Sequence, residues 1–220
     1  MRRNPHNKET PKASDTIEII HSDIMGPVNK SVNGYRFILV IIDEYSRKSW
    51  IFLLKRKSEA IDIVINMLKF LNNQNKNNIK IFKSDHGKEF DNIRIKKLCS
   101  ENGISKEYSP LYNPENNGLV ERFNQTIISS TKTLIFWSKT SDNLWDYAIT
   151  YANLIYNKMP HSGIGNKIPD EIYYKRKVDI KYLRVWGCIT INIFHKIREN
   201  FLPTLKKVYF LVSIKTHIAI

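Results

Sequence analysis

The chain has 220 residues, enough for one large domain or one domain with a small appendage, and 42% hydrophobic with 25% charged content suits a buried core. Lys and Arg number 35 against 21 Asp and Glu, a net charge of +14, which implies a polyanionic partner such as nucleic acid. Only two cysteines occur, Cys99 and Cys188, without Cys or His neighbours at ligand spacing, which excludes a zinc finger or disulfide scaffold within these residues. The longest uncharged apolar run, FILVII at 37–42, is far shorter than the roughly 20 residues of a membrane span, so no membrane partner is expected. Residues 1–15 read as a flexible basic arm rather than a signal peptide, and an intracellular location is expected.

From Thr16 the pattern turns strand-like. TIEIIHSD, YRFILVIIDE and SWIFLL follow one another across GPVNKSVNG and YSRK, which predicts an antiparallel meander. Between Ser58 and Leu71 the period changes, with Ile61, Val64, Ile65, Leu68 and Leu71 on one helical face and Ser58 as the N-cap. IKIFKS, a helix around Ile93 to Asn102 and the strand-like ISKEYS come next. Strands alternating with helices after a meander predict a mixed α/β sheet covered on its faces. The turn-rich PLYNPENNG then leads into a long amphipathic helix with Val120, Phe123, Ile127, Thr131 and Leu134 on one stripe.

A second helix spans DNLWDYAITYANLIYN from a cap at Ser141 or Asp142. Trp137, Trp145, Tyr147, Tyr151 and Tyr156 fall at core spacing rather than forming a base-stacking platform. Beyond Met159 come a short helical stretch, EIYYKRK, and the apolar runs LRVWGCITINIF and KKVYFLVSI. Residues 158–220 hold twelve Lys or Arg against four Asp or Glu, so a small basic β-rich appendage, 176–220, is expected after a core over 16–175.

Three carboxylates stand outside plainly polar surroundings. Asp23 ends TIEIIHSD, Asp85 ends IKIFKSD, and Glu121 enters the long helix beside core-facing Val120. Each alone has a plain structural explanation, as a strand-end turn residue or a first-turn Glu favoured by the helix dipole. Yet a carboxylate ending a buried strand is costly unless paired, hydrogen-bonded or metal-bound. Hard divalent cations take a few carboxylate oxygens plus substrate phosphate oxygens. Three acids meeting at one sheet edge would clamp two ions roughly 3.5–4 Å apart, the arrangement for in-line displacement at phosphorus. His21 and His86 adjoin the aspartates, but an oxygen-only site suits Mg²⁺, so orienting or structural roles are expected for them. HSD lacks a nucleophile elbow, and GIGNK lacks the length of a P-loop.

HSDIMGP around Asp23, KSDHGKEF around Asp85 and YNPENNGLVERFNQT around Glu121 resemble the acidic motifs of the integrase core of Ty1/copia-type retrotransposons, a segment of their Pol polyproteins. Between Asp23 and Asp85 lie 61 residues, and between Asp85 and Glu121 lie 35, the D,D-35-E spacing of the retroviral integrase superfamily. Similar phrasing continues in IIDEYSRKSWIFLLKRKSE, NLWDYAITYANLIYNKMPH and IPDEIYYKRKVDIKYLRVWGCI, so the resemblance runs from about Ile17 to about Val212.

The resemblance implies an RNase H-like fold with a mixed five-stranded sheet, and Asp23, Asp85 and Glu121 as catalytic residues ligating two Mg²⁺ or Mn²⁺ ions. The implied activity is 3′-end processing of element DNA and strand transfer into target DNA, by a homo-oligomer, in the nucleus where it acts on host chromatin. Asn116, Asn117 and Gly118 would give a mobile loop over DNA. Asn117, Asn124, Gln125 and Lys132 are candidate DNA contacts, although a solvated helix face explains the last three equally. No His/His/Cys/Cys zinc-binding segment stands within the chain, and KKVYFLVSI departs from the Gly-containing strand of relatives. A polyprotein fragment or the reading frame of a decayed element is therefore expected. Two other readings stay open: a catalytically idle nucleic-acid-binding relic, and an RNase H-like nuclease that cuts without joining.

Overall fold

Aliphatic and β-branched residues crowd three successive runs, and these form β1 (Ile19–Met25), β2 (Phe37–Asp43) and β3 (Ser49–Leu54). They belong to a computed structural model that describes residues 12–74, 78–85, 87, 89–108, 118–192 and 206–209. β1 pairs antiparallel with β2, and β2 with β3, as the meander pattern predicts. β4 (Ile81–Ser84) and β5 (Ser105–Tyr108) add in parallel beyond β1, giving a five-stranded mixed sheet in the order β3-β2-β1-β4-β5. A parallel neighbour cannot be reached by a hairpin. The chain therefore crosses over through α1 (Ala60–Gln74) before β4 and through α2 (Ile93–Glu101) before β5.

The period of two along β2 sorts the core into two layers. Leu39 and Ile41 join Val64, Leu68 and Leu71 of α1, Ile95 of α2, and Phe82 of β4. Ile38, Val40 and Ile42 face the other way, onto Val120, Phe123 and Ile127 of α3 (Gly118–Ser138) and Ile149 of α4 (Trp145–Tyr156). Asn157, just past α4, closes the sheet's β3 edge. Its Oδ1 accepts from Ser49 N at 2.9 Å, and its Nδ2 donates to Ser49 O at 2.8 Å. An edge strand's exposed polar groups thereby find a side-chain partner instead of a further strand.

After α4 the short helix α5 (Pro169–Tyr174) is held by its first turn: Asp170 lies 2.5 Å from Lys48 Nζ and 2.6 Å from Lys158 Nζ, with Asp170 and Lys48 buried and Lys158 partly so. Trp186 then packs on Tyr151 of α4 with ring centroids 5.7 Å apart. A separate antiparallel pair, β6 (Ile189–Asn192) and β7 (Lys206–Tyr209), follows. No described helix is long and apolar enough to cross a membrane.

Several details depart from the sequence reading. Ser58 does not cap α1; it sits inside a 3₁₀ turn, Lys57–Glu59, and α1 begins at Ala60. On α3 the buried stripe ends at Ile135 rather than Leu134, which is only partly buried. Trp137 is 78% exposed rather than in the core, since it lies two residues past Ile135 and so points nearly opposite to it. α5 starts at Pro169 and stops before the KRK run because Lys175 takes a left-handed φ of 52°. The 1–11 part of the basic arm, the loop with Asn116 and Asn117, His86, and the last stretch from Phe210 lie outside the described residues.

Candidate active site

Two of the three acids are brought together by strand register. The parallel ladder pairs His21 with Lys83 and Ser22 with Ser84, so Asp23 and Asp85 are the next residue on each strand. Asp23 still pairs with Val40 of β2, which puts it on the sheet face covered by α3 and α4. Asp85 is the first residue past β4, and its Oδ1 accepts from Gly87 N at 3.1 Å. A Cβ on Gly87 would stand 3.0 Å from that oxygen and 2.9 Å from Glu89 Cδ, so a larger residue there would displace the Asp85 or Glu89 side chain.

The helix α3 delivers the rest. Glu121 occupies its first turn and is exposed, while Asn124, three residues on, turns inward. The Asn124 amide Nδ2 donates to Asp23 Oδ2 at 2.7 Å, and Ile24 N donates to Asp23 Oδ1 at 2.8 Å. Burial pushes the Asp23 carboxyl above the usual carboxylate range, and the charge of Asp85 pushes it further. The Asn124 and Ile24 hydrogen bonds pull it down, and Glu121 adds a smaller upward push. Asp23 thus feels the charge of Asp85 more strongly than that of Glu121. Among the described residues no three His, Cys, Asp or Glu side chains converge to hold a metal ion. The reason is local: α3 presents an amide to Asp23 and leaves its carboxylate, one turn earlier, facing water.

A second polar layer lies two residues below the aspartates on the same face, and sequence reading missed it. The Glu44 carboxylate, just beyond β2, meets His21 Nε2 at 2.7 Å and Lys83 Nζ at 3.4 Å. Burial holds the His21 imidazole below its ordinary range even beside Glu44. Its Nδ1 is buried without a partner. Burial alone would raise Glu44, but the His21 hydrogen bond and the His21 and Lys83 charges override it and draw the carboxyl down to about 2. The signal was present in the alternation: His21 and Lys83 share a parity with Asp23 and Asp85, and polar residues at such half-buried positions demand partners.

The donor chemistry fits a hard divalent cation at the aspartate pair. Asp23 and Asp85 offer oxygens alone, and Asn124 Oδ1 beside them is buried with no partner in the protein. Of the candidate DNA contacts, Asn124 is committed to Asp23, and Gln125 is exposed on α3. Lys132 stands ~16 Å along the helix from Glu121. There it lines a cleft of about 620 Å³ with Lys30, Ile128 and Trp145. Asn117 lies outside the described residues.

The Integrase core domain family matches residues 14–114. The chain is 27% identical over 173 residues to the retrovirus-related Pol polyprotein from transposon TNT 1-94 of Nicotiana tabacum, covering 78% of this chain and 13% of the polyprotein. It is 29% identical over 184 residues to that from transposon RE2 of Arabidopsis thaliana, covering 84% and 12%. It therefore spans about an eighth of the length of these relatives. In structure it is similar to the HTLV-2 integrase catalytic core domain solved in complex with magnesium in a trimeric form, with a TM-score of 0.55 and 18% identity over 74% of this chain and 99% of that one. The shared fold is the RNase H-like one of retroviral integrase cores. Residues 14–114 thus match the Integrase core domain, and the chain as a whole is similar to a segment of the Pol polyproteins of Ty1/copia-type transposons and shares the fold of retroviral integrase cores.

Proposed function

We propose that the chain is the catalytic core of a metal-dependent DNA strand transferase, which processes the 3′ ends of retrotransposon DNA and joins them to target DNA. The observation that carries this reading is the register that sets Asp23, just past the last β1–β4 rung, beside Asp85, just past β4, with Asp85 raising the Asp23 carboxyl. Two like charges held this close ask for a cation between them. In this reading Asp23 and Asp85 would hold Mg²⁺ or Mn²⁺, and Glu121, in the first turn of α3, would complete a site for a second ion. Such ions, when bound, activate the attacking oxygen and stabilise the leaving oxygen of an in-line displacement. Asn124 orients Asp23 by its 2.7 Å hydrogen bond. Gln125 and Lys132 follow along the outer face of α3, where they meet the DNA backbone or base edges, and Asn117 does so from the preceding loop.

The net charge of +14 supports a DNA partner. The trimeric HTLV-2 core supports a homo-oligomer as the active form, and magnesium in that structure supports divalent-cation use. The place of action on host chromatin would be the nucleus. The test is incubation with short duplexes and Mn²⁺ or Mg²⁺, with Asp85→Asn as control. Joined products that vanish in Asp85→Asn support strand transfer. Nicks alone point to a nuclease, and salt-steep binding indifferent to EDTA, without products, points to an idle DNA-binding core.

A further inference from the structure

The two aspartates stand just where strand pairing stops. β1 and β4 share only the rungs from Ile19–Ile81 to Ser22–Ser84, and β4 itself is four residues long. Asp23 and Asp85 therefore lie past the last rung, where two strands part most easily and where like charge pushes them apart. We propose that Glu44 is a positioning residue that holds this acid pair in place. It does so by tying His21 of β1 to Lys83 of β4.

Three observations carry the proposal. His21 and Lys83 are direct register partners on the face that bears the aspartates, two residues before each. Both reach the same oxygen, Glu44 Oε2, at 2.7 and 3.4 Å, and they are only 3% and 8% exposed, so the tie is short and shielded from water. Glu44 is itself fixed, since its N–H donates to Ile19 O at 3.0 Å and its Oε1 accepts from Ala13 N at 3.2 Å. Glu44 is thus fixed to β1, and its carboxylate carries the tie across to Lys83 of β4. With the tie gone, β1 and β4 keep their four main-chain rungs and the fold persists, but the gap between Asp23 and Asp85 is no longer fixed. An ion shared by two carboxylates then has to pay for bringing them together.

The proposal rests on reading Asp23 and Asp85 as cation ligands, and the experiment separates the two. Removing Glu44 alone leaves Lys83 buried and uncompensated, so the informative variant is the double replacement Glu44→Met with Lys83→Met, in which neither charge is stranded. Unfolding is followed by circular dichroism in EDTA and then with rising Mn²⁺, and the readout is the Mn²⁺ concentration giving half of the full stabilisation. The double variant is expected to unfold in EDTA near the parent temperature, with its Mn²⁺ midpoint raised about 10- to 100-fold, as for other outer residues that orient metal ligands. DNA binding in EDTA is expected to be unchanged, and strand transfer to recover at saturating Mn²⁺. Should the double variant fail to fold, Glu44→Gln, which keeps the volume, is judged by the same midpoint. An unchanged Mn²⁺ midpoint, with Asp85→Asn abolishing the stabilisation, overturns the role of Glu44 and leaves the acid pair standing. Mn²⁺ stabilisation that survives in Asp85→Asn overturns the acid pair, and Glu44 with it.

Discussion

Replacing Asp170 by Asn tests how α5 is held to the rest of the molecule. Asp170 is the sole carboxylate within 4.0 Å of both Lys48 and Lys158 among the described residues, at 2.5 and 2.6 Å, and the two lysine side chains are 10% and 11% exposed. Asn keeps the volume and part of the hydrogen bonding but removes the charge, leaving two buried ammonium groups with no counter-ion. Breaking a buried ion pair from one side costs about 3–5 kcal/mol. For a chain of this size each kcal/mol is worth about 2–4 °C, so the unfolding temperature at pH 7 falls by roughly 6–20 °C. The pH dependence supplies a second, sharper readout. Burial already holds the Lys48 amine below its usual range despite Asp170, and without Asp170 it must drop further. A lysine whose folded pKa is depressed costs stability while charged, and the cost fades as pH rises through that value toward 10.5. The loss in Asp170→Asn is therefore largest near neutrality and shrinks toward pH 10 in calorimetry. A loss below ~1 kcal/mol, the range of exposed pairs, or one independent of pH refutes the reasoning.

Three further outcomes follow from the same geometry. Phe82→Ala, at a fully buried ring edge-on to Phe90 with centroids 6.4 Å apart, should cost about 3–5 kcal/mol in denaturant unfolding. Phe136→Ala, at a ring 74% exposed, should stay within ~0.5 kcal/mol; equal costs would mean the two helical layers are misassigned. Asn124→Ala removes a donor that lowers the Asp23 carboxyl, so the Asp23 midpoint in a carbon-13 NMR titration should move up, and an unmoved midpoint would discard that hydrogen bond. Glu18 is drawn down to about 2 from 4.5, chiefly by Lys80 at 2.5 Å. Its contribution is complete above pH 4.5 and is lost as pH falls toward 2, so Glu18→Gln should flatten the acid loss of stability across that window.

Much of the architecture was legible because it is written locally. The meander of β1, β2 and β3 follows from clustered β-branched residues and short polar links, and α1 and α4 follow from their apolar period. That Asp23 and Asp85 lie side by side was legible in part, since each follows an apolar run, whereas Glu121 stood out by its spacing and flanks alone and faces water. What was not legible depends on pairing between distant segments. Nothing local says that His21 lies opposite Lys83, since parallel strands are joined by a crossover that leaves no turn signature. Asn124 was expected on the face of Glu121 as a DNA contact; its hydrogen bond to Asp23 depends on how α3 packs against β1, which no periodicity contains. Trp137 reads as core by aromatic content, but only the angle from Ile135 reveals that it points to water.

The parallel ladder between β1 and β4 also bears on how such chains drift in length. The distance between Asp23 and Asp85 is set by rungs, so the 61 residues between them impose nothing on it directly. Lengthening the connection from α1 to β4 by a flexible segment costs only the entropy of a longer loop, ~0.6 kcal/mol per doubling, and leaves the last rung at Ser22–Ser84. Relatives are thus free to insert or delete there, and a reporter peptide spliced into that connection should leave the acid pair in place. A one-residue slip in the ladder itself, with the chain length untouched, would turn one aspartate to the opposite face of the sheet.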